Sequence, residues 1–75
     1  MSKIVDLFLG AVDVIDSRQD ESGGISITGR SRADGEKVYL SKEKDSPRAA
    51  AWRQRDGWES VDERGLLGWI RRLGK

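Results

Sequence analysis

The stretch "ISITGRSRADGEKVYLSK", residues 25–42, constrains the fold more than any other. Ile25 and Ile27 alternate with Ser26 and Thr28, and Val38 and Leu40 alternate with Lys37, Tyr39 and Ser41. Strand side chains point alternately to the two faces of a sheet, so each run has one apolar and one polar face. Between the runs sits Asp34-Gly35, a dipeptide suited to the positive backbone angles of a tight hairpin turn. An antiparallel β-hairpin over about residues 24–42 follows. Its face of Ile25, Ile27, Val38 and Leu40 must be covered by another element. The face with Thr28 and Tyr39 is the one free to meet water.

Both ends of the chain offer a cover. Toward the C-terminus, Leu66, Ile70 and Leu73 recur at helical spacing, with Leu67 and Trp69 beside them. Ser60-Val61-Asp62-Glu63 has the form of a capping box, and Arg71, Arg72 and Lys75 close the segment where a helix dipole favours cations. A helix over about 61–73 is expected. Gly65 and Gly68 either weaken it or mark a close approach to a neighbour. Toward the N-terminus, Lys3, Asp6, Gly10, Asp13 and Ser17 are spaced by three and four, and Ile4, Val5, Phe8, Ala11, Val12 and Ile15 lie opposite them. This predicts a helix from about 3 to 17. The alternative is a bulged strand kinked at Gly10.

The segment "SPRAAAWRQRDGW", residues 46–58, carries two competing signals. Ser46 can cap a helix, Pro47 suits its first turn, three alanines favour it, and Gly57 suits its end. A short helix from about 47 to 56 is the expectation. Asp56-Gly57 is equally a hairpin dipeptide, and a second hairpin over about 47–60 would pair Arg55 with Trp58, Arg53 with Ser60 and Trp52 with Val61. The order strand, turn, strand, helix over about residues 24–55, carried by "ADGEKVYLSKEK" and the segment after it, is similar to the layout of integrase arm-binding domains. That likeness implies a helix after the second strand and nothing about activity. The fold class expected is α+β, in a single small domain: an N-terminal helix, the hairpin, the short helix or second hairpin, and the C-terminal helix.

The 75-residue chain has no cysteine and no histidine, which excludes disulfides, thiolate zinc sites, thiol catalysis and a Ser-His-Asp triad. A reducing cytoplasmic setting is the matching expectation. Asp6 and Asp13 interrupt the apolar stretch 4–15, which is too short to span a bilayer, so no membrane role is expected. The carboxylates Asp20-Glu21 and Asp62-Glu63 read as a solvated loop and a helix start. Asp13, Asp16 and Asp20 do not have the spacing of a calcium loop, and no glycine-rich phosphate loop occurs. No catalytic residue, metal or cofactor is expected, and the chain reads as a non-enzyme.

Binding chemistry remains. Net charge is +1, but residues 1–22 sum to −3 and residues 23–75 to +4. Trp and Arg are the residues most enriched at interface hot spots, and Trp52, Trp58 and Trp69 all fall in the last 24 residues. Trp58 follows the turn glycine and is the best placed for exposure, whereas Trp69 and Trp52 are the candidates for the core. Trp58, Arg53 and Arg55, with Trp52 and Arg48, form the expected contact centre for a larger protein or nucleoprotein partner. Short chains without chemistry are often regulators or inhibitors, for instance of phage or mobile-element origin. The alternative is nucleic-acid binding through a basic Arg/Trp surface drawing on Arg30, Arg32, Arg71 and Arg72 as well. A continuous cationic face would favour nucleic acid, and an isolated Trp among mixed charges would favour protein. Oligomeric state is not legible.

Overall fold

The structure, a computed structural model, describes residues 3–73. Helix α1 (Lys3–Ala11) runs directly into strand β1 (Val12–Gln19). Strands β2 (Ile25–Ser31), β3 (Lys37–Lys42), β4 (Ala49–Arg53) and β5 (Gly57–Val61) follow, then helix α2 (Glu63–Leu73). The five strands form one antiparallel sheet in chain order. Both helices cover the same side, the inner face, so the domain has two layers. The α+β class is as expected, with a sheet larger than one hairpin.

The β2–β3 hairpin forms as its alternation predicts. Ile27 pairs with Leu40 and Thr28 with Tyr39, and Gly35 takes a φ of +74° at the turn. Val38 is buried on the inner face, and Ile27 and Leu40 are half-buried there. A strand, β4, follows where the arm-binding layout implies a helix.

The N-terminal helix ends six residues earlier than its periodicity predicts. Ile4, Phe8 and Ala11 of the expected stripe turn toward the core, joined by Leu7, whereas Val5 is exposed. From Val12 the chain extends along β2, pairing Val12 with Ser31 and Gln19 with Ile25. Val12, Val14 and Ile15 are β-branched and fit a strand at least as well as a helix. The register slips between Val14 and Asp16, which leaves Ile15 as a bulge. Long-range contacts set the switch point. The backbone N–H of Arg32 donates to the Ala11 carbonyl at 3.0 Å, and its guanidinium donates to the Gly10 carbonyl at 3.0 Å. These bonds satisfy carbonyls that the end of α1 leaves open.

The expected helix over 47–56 is absent. The Ser46 hydroxyl instead makes a local turn: it accepts from the Arg48 N–H and donates to the Arg48 carbonyl. The alternative hairpin forms, in a register other than the expected one. Arg53 pairs with Gly57, Trp52 with Trp58, and Ala49 with Val61. The turn is closed by the Asp56 N–H on the Arg53 carbonyl, and Gly57 has a φ of +70°. Alanine's helix preference is worth under about 1 kcal/mol per residue, and an isolated ten-residue helix is marginal. As strand residues, Ala49 and Ala51 are buried on the inner face, where α2 packs over β4 and β5.

Helix α2 begins at Glu63, two residues later than expected, because Ser60 is taken up in β5 opposite Ala50. Asp62 caps it, accepting the Gly65 N–H at 2.8 Å. Leu66, Trp69, Ile70 and Leu73 point into the core, where the Trp69 and Phe8 rings lie 6.5 Å apart and nearly parallel. The buried Ser31 hydroxyl donates to the Leu73 carbonyl at 3.2 Å. At the opposite end of the sheet the inner face is less covered. There Ile4 and Val5, with Ile25, Ile27, Leu40 and Leu66, border an apolar cleft of about 570 Å³.

Two glycines give opposite expectations. A Cβ at Gly29 would run into the Val12 side chain and lie 2.9 Å from the Asp13 carbonyl oxygen. Gly29→Ala is expected to destabilise the fold by about 1–3 kcal/mol. A Cβ at Gly68, inside α2, would meet nothing within 4 Å. Gly68→Ala is expected to stabilise by about 0.5–1 kcal/mol. Urea denaturation of the two variants checks both signs.

Candidate functional site

Strand parity decides what the outer face presents. Ala49, Ala51 and Arg53 point inward, so Ala50 and Trp52 point outward. The pairings then place Asp16, Thr28, Tyr39, Trp52 and Trp58 in one row across all five strands. A second outward row reads Arg18, Ser26, Ser41, Ala50 and Ser60, and a third reads Asp13, Arg30 and Lys37.

From β3 to the edge strand β5 this face is aromatic. The Tyr39 ring lies 4.9 Å from that of Trp52, tilted by 58°, and 6.3 Å from that of Trp58, at 28°. Tyr39 and Trp52 are half-buried against one another. Trp58 is 62% exposed, the most exposed of the large apolar side chains among the described residues. Such a side chain on the solvent side of a sheet, with no helix over it, offers a ready contact surface.

Its charges are one-sided. None of the ten outward positions of β2 to β5 in these rows is acidic, while Arg30 and Lys37 supply two cations. The two acids on β1 are paired: Asp16 with Arg18 at 2.9 Å and Asp13 with Arg32 at 2.8 Å. Arg48 lies across the β5 end of the face, donating to the Ser60 hydroxyl and carbonyl at 3.0 and 2.8 Å. Arg55 sits in the β4–β5 turn, exposed, and 3.5 Å from Asp34.

The residues expected as one contact centre are therefore divided. Trp52, Trp58, Arg48 and Arg55 are on or beside the outer face. The Arg48-Trp52-Arg55 helical stripe does not exist, because no helix forms there. Arg53 points the other way and is only 5% exposed, so it and Trp58 cannot meet one partner surface together. Its guanidinium is held by Asp34 at 3.3 Å, and its Nε has no partner. Of the further arginines, Arg30 belongs to the outer face. Arg32 is engaged by Asp13 and the end of α1. Arg71 and Arg72 are on α2, on the inner side of the sheet, and Arg72 reaches Glu59 at 3.7 Å. Trp69 is core, as expected, and Trp52 is not. Sequence reasoning left Tyr39 out of the site. Its place on the polar face of the first hairpin was the available signal.

Two carboxylates have structural work. Asp20 organises the β1–β2 turn, accepting from the Ser22 hydroxyl and the Gly24 N–H, and these bonds lower its pKa. Asp34 is held below its ordinary 3.8 first by the Glu36 N–H, and also by the Arg53 and Arg55 guanidiniums, against a desolvation that raises it. No helix among the described residues is long and apolar enough to cross a membrane. Comparison with protein-family models, curated proteins and solved structures finds no match for this chain.

Two expectations test this geometry. Trp58→Ala, which loses the ring contact with Tyr39 and the cross-strand pairing with Trp52, should cost about 0.5–1.5 kcal/mol, whereas Trp69→Ala should cost about 3–5 kcal/mol, both read from chemical denaturation. Asp34 has a folded pKa below the unfolded one, so its stabilisation is present above the ordinary value and is lost as pH falls through the lowered one. Asp34→Asn should therefore melt below the wild type at neutral pH, and the gap should close in acid. Thermal unfolding followed from about pH 7 to about pH 2.5 checks this.

Proposed function

We propose that the protein works by binding, without a catalytic step, and that it occupies a larger protein or nucleoprotein partner through the outer face of its sheet. The observation that carries this reading is Trp58, 62% exposed in a row with Tyr39 and Trp52. A large apolar ring in water contributes little to folding, whereas burying it against a partner contributes strongly to affinity. Arg55 and Arg48 flank the ring and supply the charged part of the contact.

The test is affinity capture from a lysate of the source organism, with and without nuclease, followed by mass spectrometry and reconstitution with the purified component. The wild type and Arg64→Ala, on the exposed side of α2, should retain the same partner. Trp58→Ala and the double variant Trp58→Ala/Arg55→Ala should lose it by about tenfold or more. Equal capture by all four proteins overturns the reading.

A further inference from the structure

We infer that what the outer face holds is a single strand of nucleic acid, an inference that rests on the binding role just proposed for that face. Three observations point there together. Aromatic rings on three neighbouring strands form one open row, with strands about 4.8 Å apart, so unpaired bases can lie against them in succession. Every base has a π-face, so such a platform accepts a strand without requiring a sequence.

The second observation is electrostatic. The outward positions of β2 to β5 carry no acid, and β1's two acids are already neutralised by Arg18 and Arg32. Cations border the aromatic row on both sides: Arg30 and Lys37 one row away, Arg55 in the adjoining turn, and Arg48 over Ser60. Arg55 shares Asp34 with Arg53, which leaves that trio with a surplus of positive charge. A polyanion laid across β2 to β5 meets no carboxylate at the outward positions of those strands.

Third, four of the five remaining outward positions of β2 to β5 are hydroxylic, Ser26, Thr28, Ser41 and Ser60, the fifth being Ala50. Hydroxyls suit phosphate and sugar oxygens. A duplex is the poorer fit. Its base faces are already stacked, and both helices lie on the inner side, so no helix on this face can enter a groove.

Fluorescence anisotropy of the full chain with labelled oligo(dT) and oligo(U) of about 15 nucleotides, and with a duplex of the same length, tests the proposal. Titrations are made between about 50 and 200 mM salt. The expected result is binding to the single strands that falls with salt, at least tenfold tighter than to the duplex. Trp58→Ala should weaken it about tenfold and Trp58→Phe should largely restore it. Arg30→Ala/Lys37→Ala should reduce the log–log salt slope by about 1.4, the value for two phosphate contacts. Arg71→Ala, on the inner side, should change nothing. Absent single-strand binding at low salt, binding indifferent to Trp58, or a preference for duplex overturns the inference. If single strands fail but a nuclease-resistant protein is captured through Trp58, this inference falls and the broader binding role stands. Indifference to Trp58 in both assays removes both.

Discussion

Two adjacent residues at the end of β2 hold the helical layer to the sheet. Ser31 donates its buried hydroxyl to the last turn of α2, and Arg32 donates its backbone and guanidinium to the last turn of α1. Helix ends leave open carbonyls that must find donors when water is excluded. Here one short segment supplies donors for both. Two residues further on, Asp34 holds the guanidiniums of Arg53 and Arg55 and so ties the β4–β5 hairpin to the same corner. A chain this small buries only about 60% of its unfolded surface and has no disulfide to help. Concentrating polar ties at one corner leaves the rest of the inner face to apolar packing around Trp69, Phe8, Ile70 and Leu73.

That packing has a consequence on the far side of the sheet. The small side chains of Ala49 and Ala51 face inward, and the largest side chain of the core, Trp69, comes from α2. Strand alternation then sends Trp52 outward, and pairing brings Trp58 beside it. The same alternation forces Arg53 inward, where it depends on Asp34. The outer aromatic row and the buried arginine are two results of one parity. A slip of one residue in β4 would exchange them and place Trp52 against α2.

The hairpin at Asp34-Gly35, its inner and outer faces, and the amphipathic α2 were legible because short-range signals agreed there. Turn chemistry, alternation and capping-type residues all favoured one conformation. Trp58's exposure was legible from its position after the turn glycine. Arg53 was misplaced in the expected contact centre because its neighbours in sequence suggest a surface, while its burial depends on Asp34, nineteen positions away. Tyr39 was left out because nothing local links it to Trp52. Only the β3–β4 register does so.

By itself, the sequence determined the central hairpin, the C-terminal helix, the α+β class, and the exclusion of thiol and imidazole chemistry. Those conclusions rest on residue type and on periods of two and 3.6. Long-range contacts alone made strands of residues 12–19, 49–53 and 57–61 and turned Trp52 outward. In both segments the local preferences were near balance, within about 1 kcal/mol per residue. Burial of Val12, Ala49 and Ala51, and the donors of Arg32, are contacts between distant parts of the chain, and they tipped that balance.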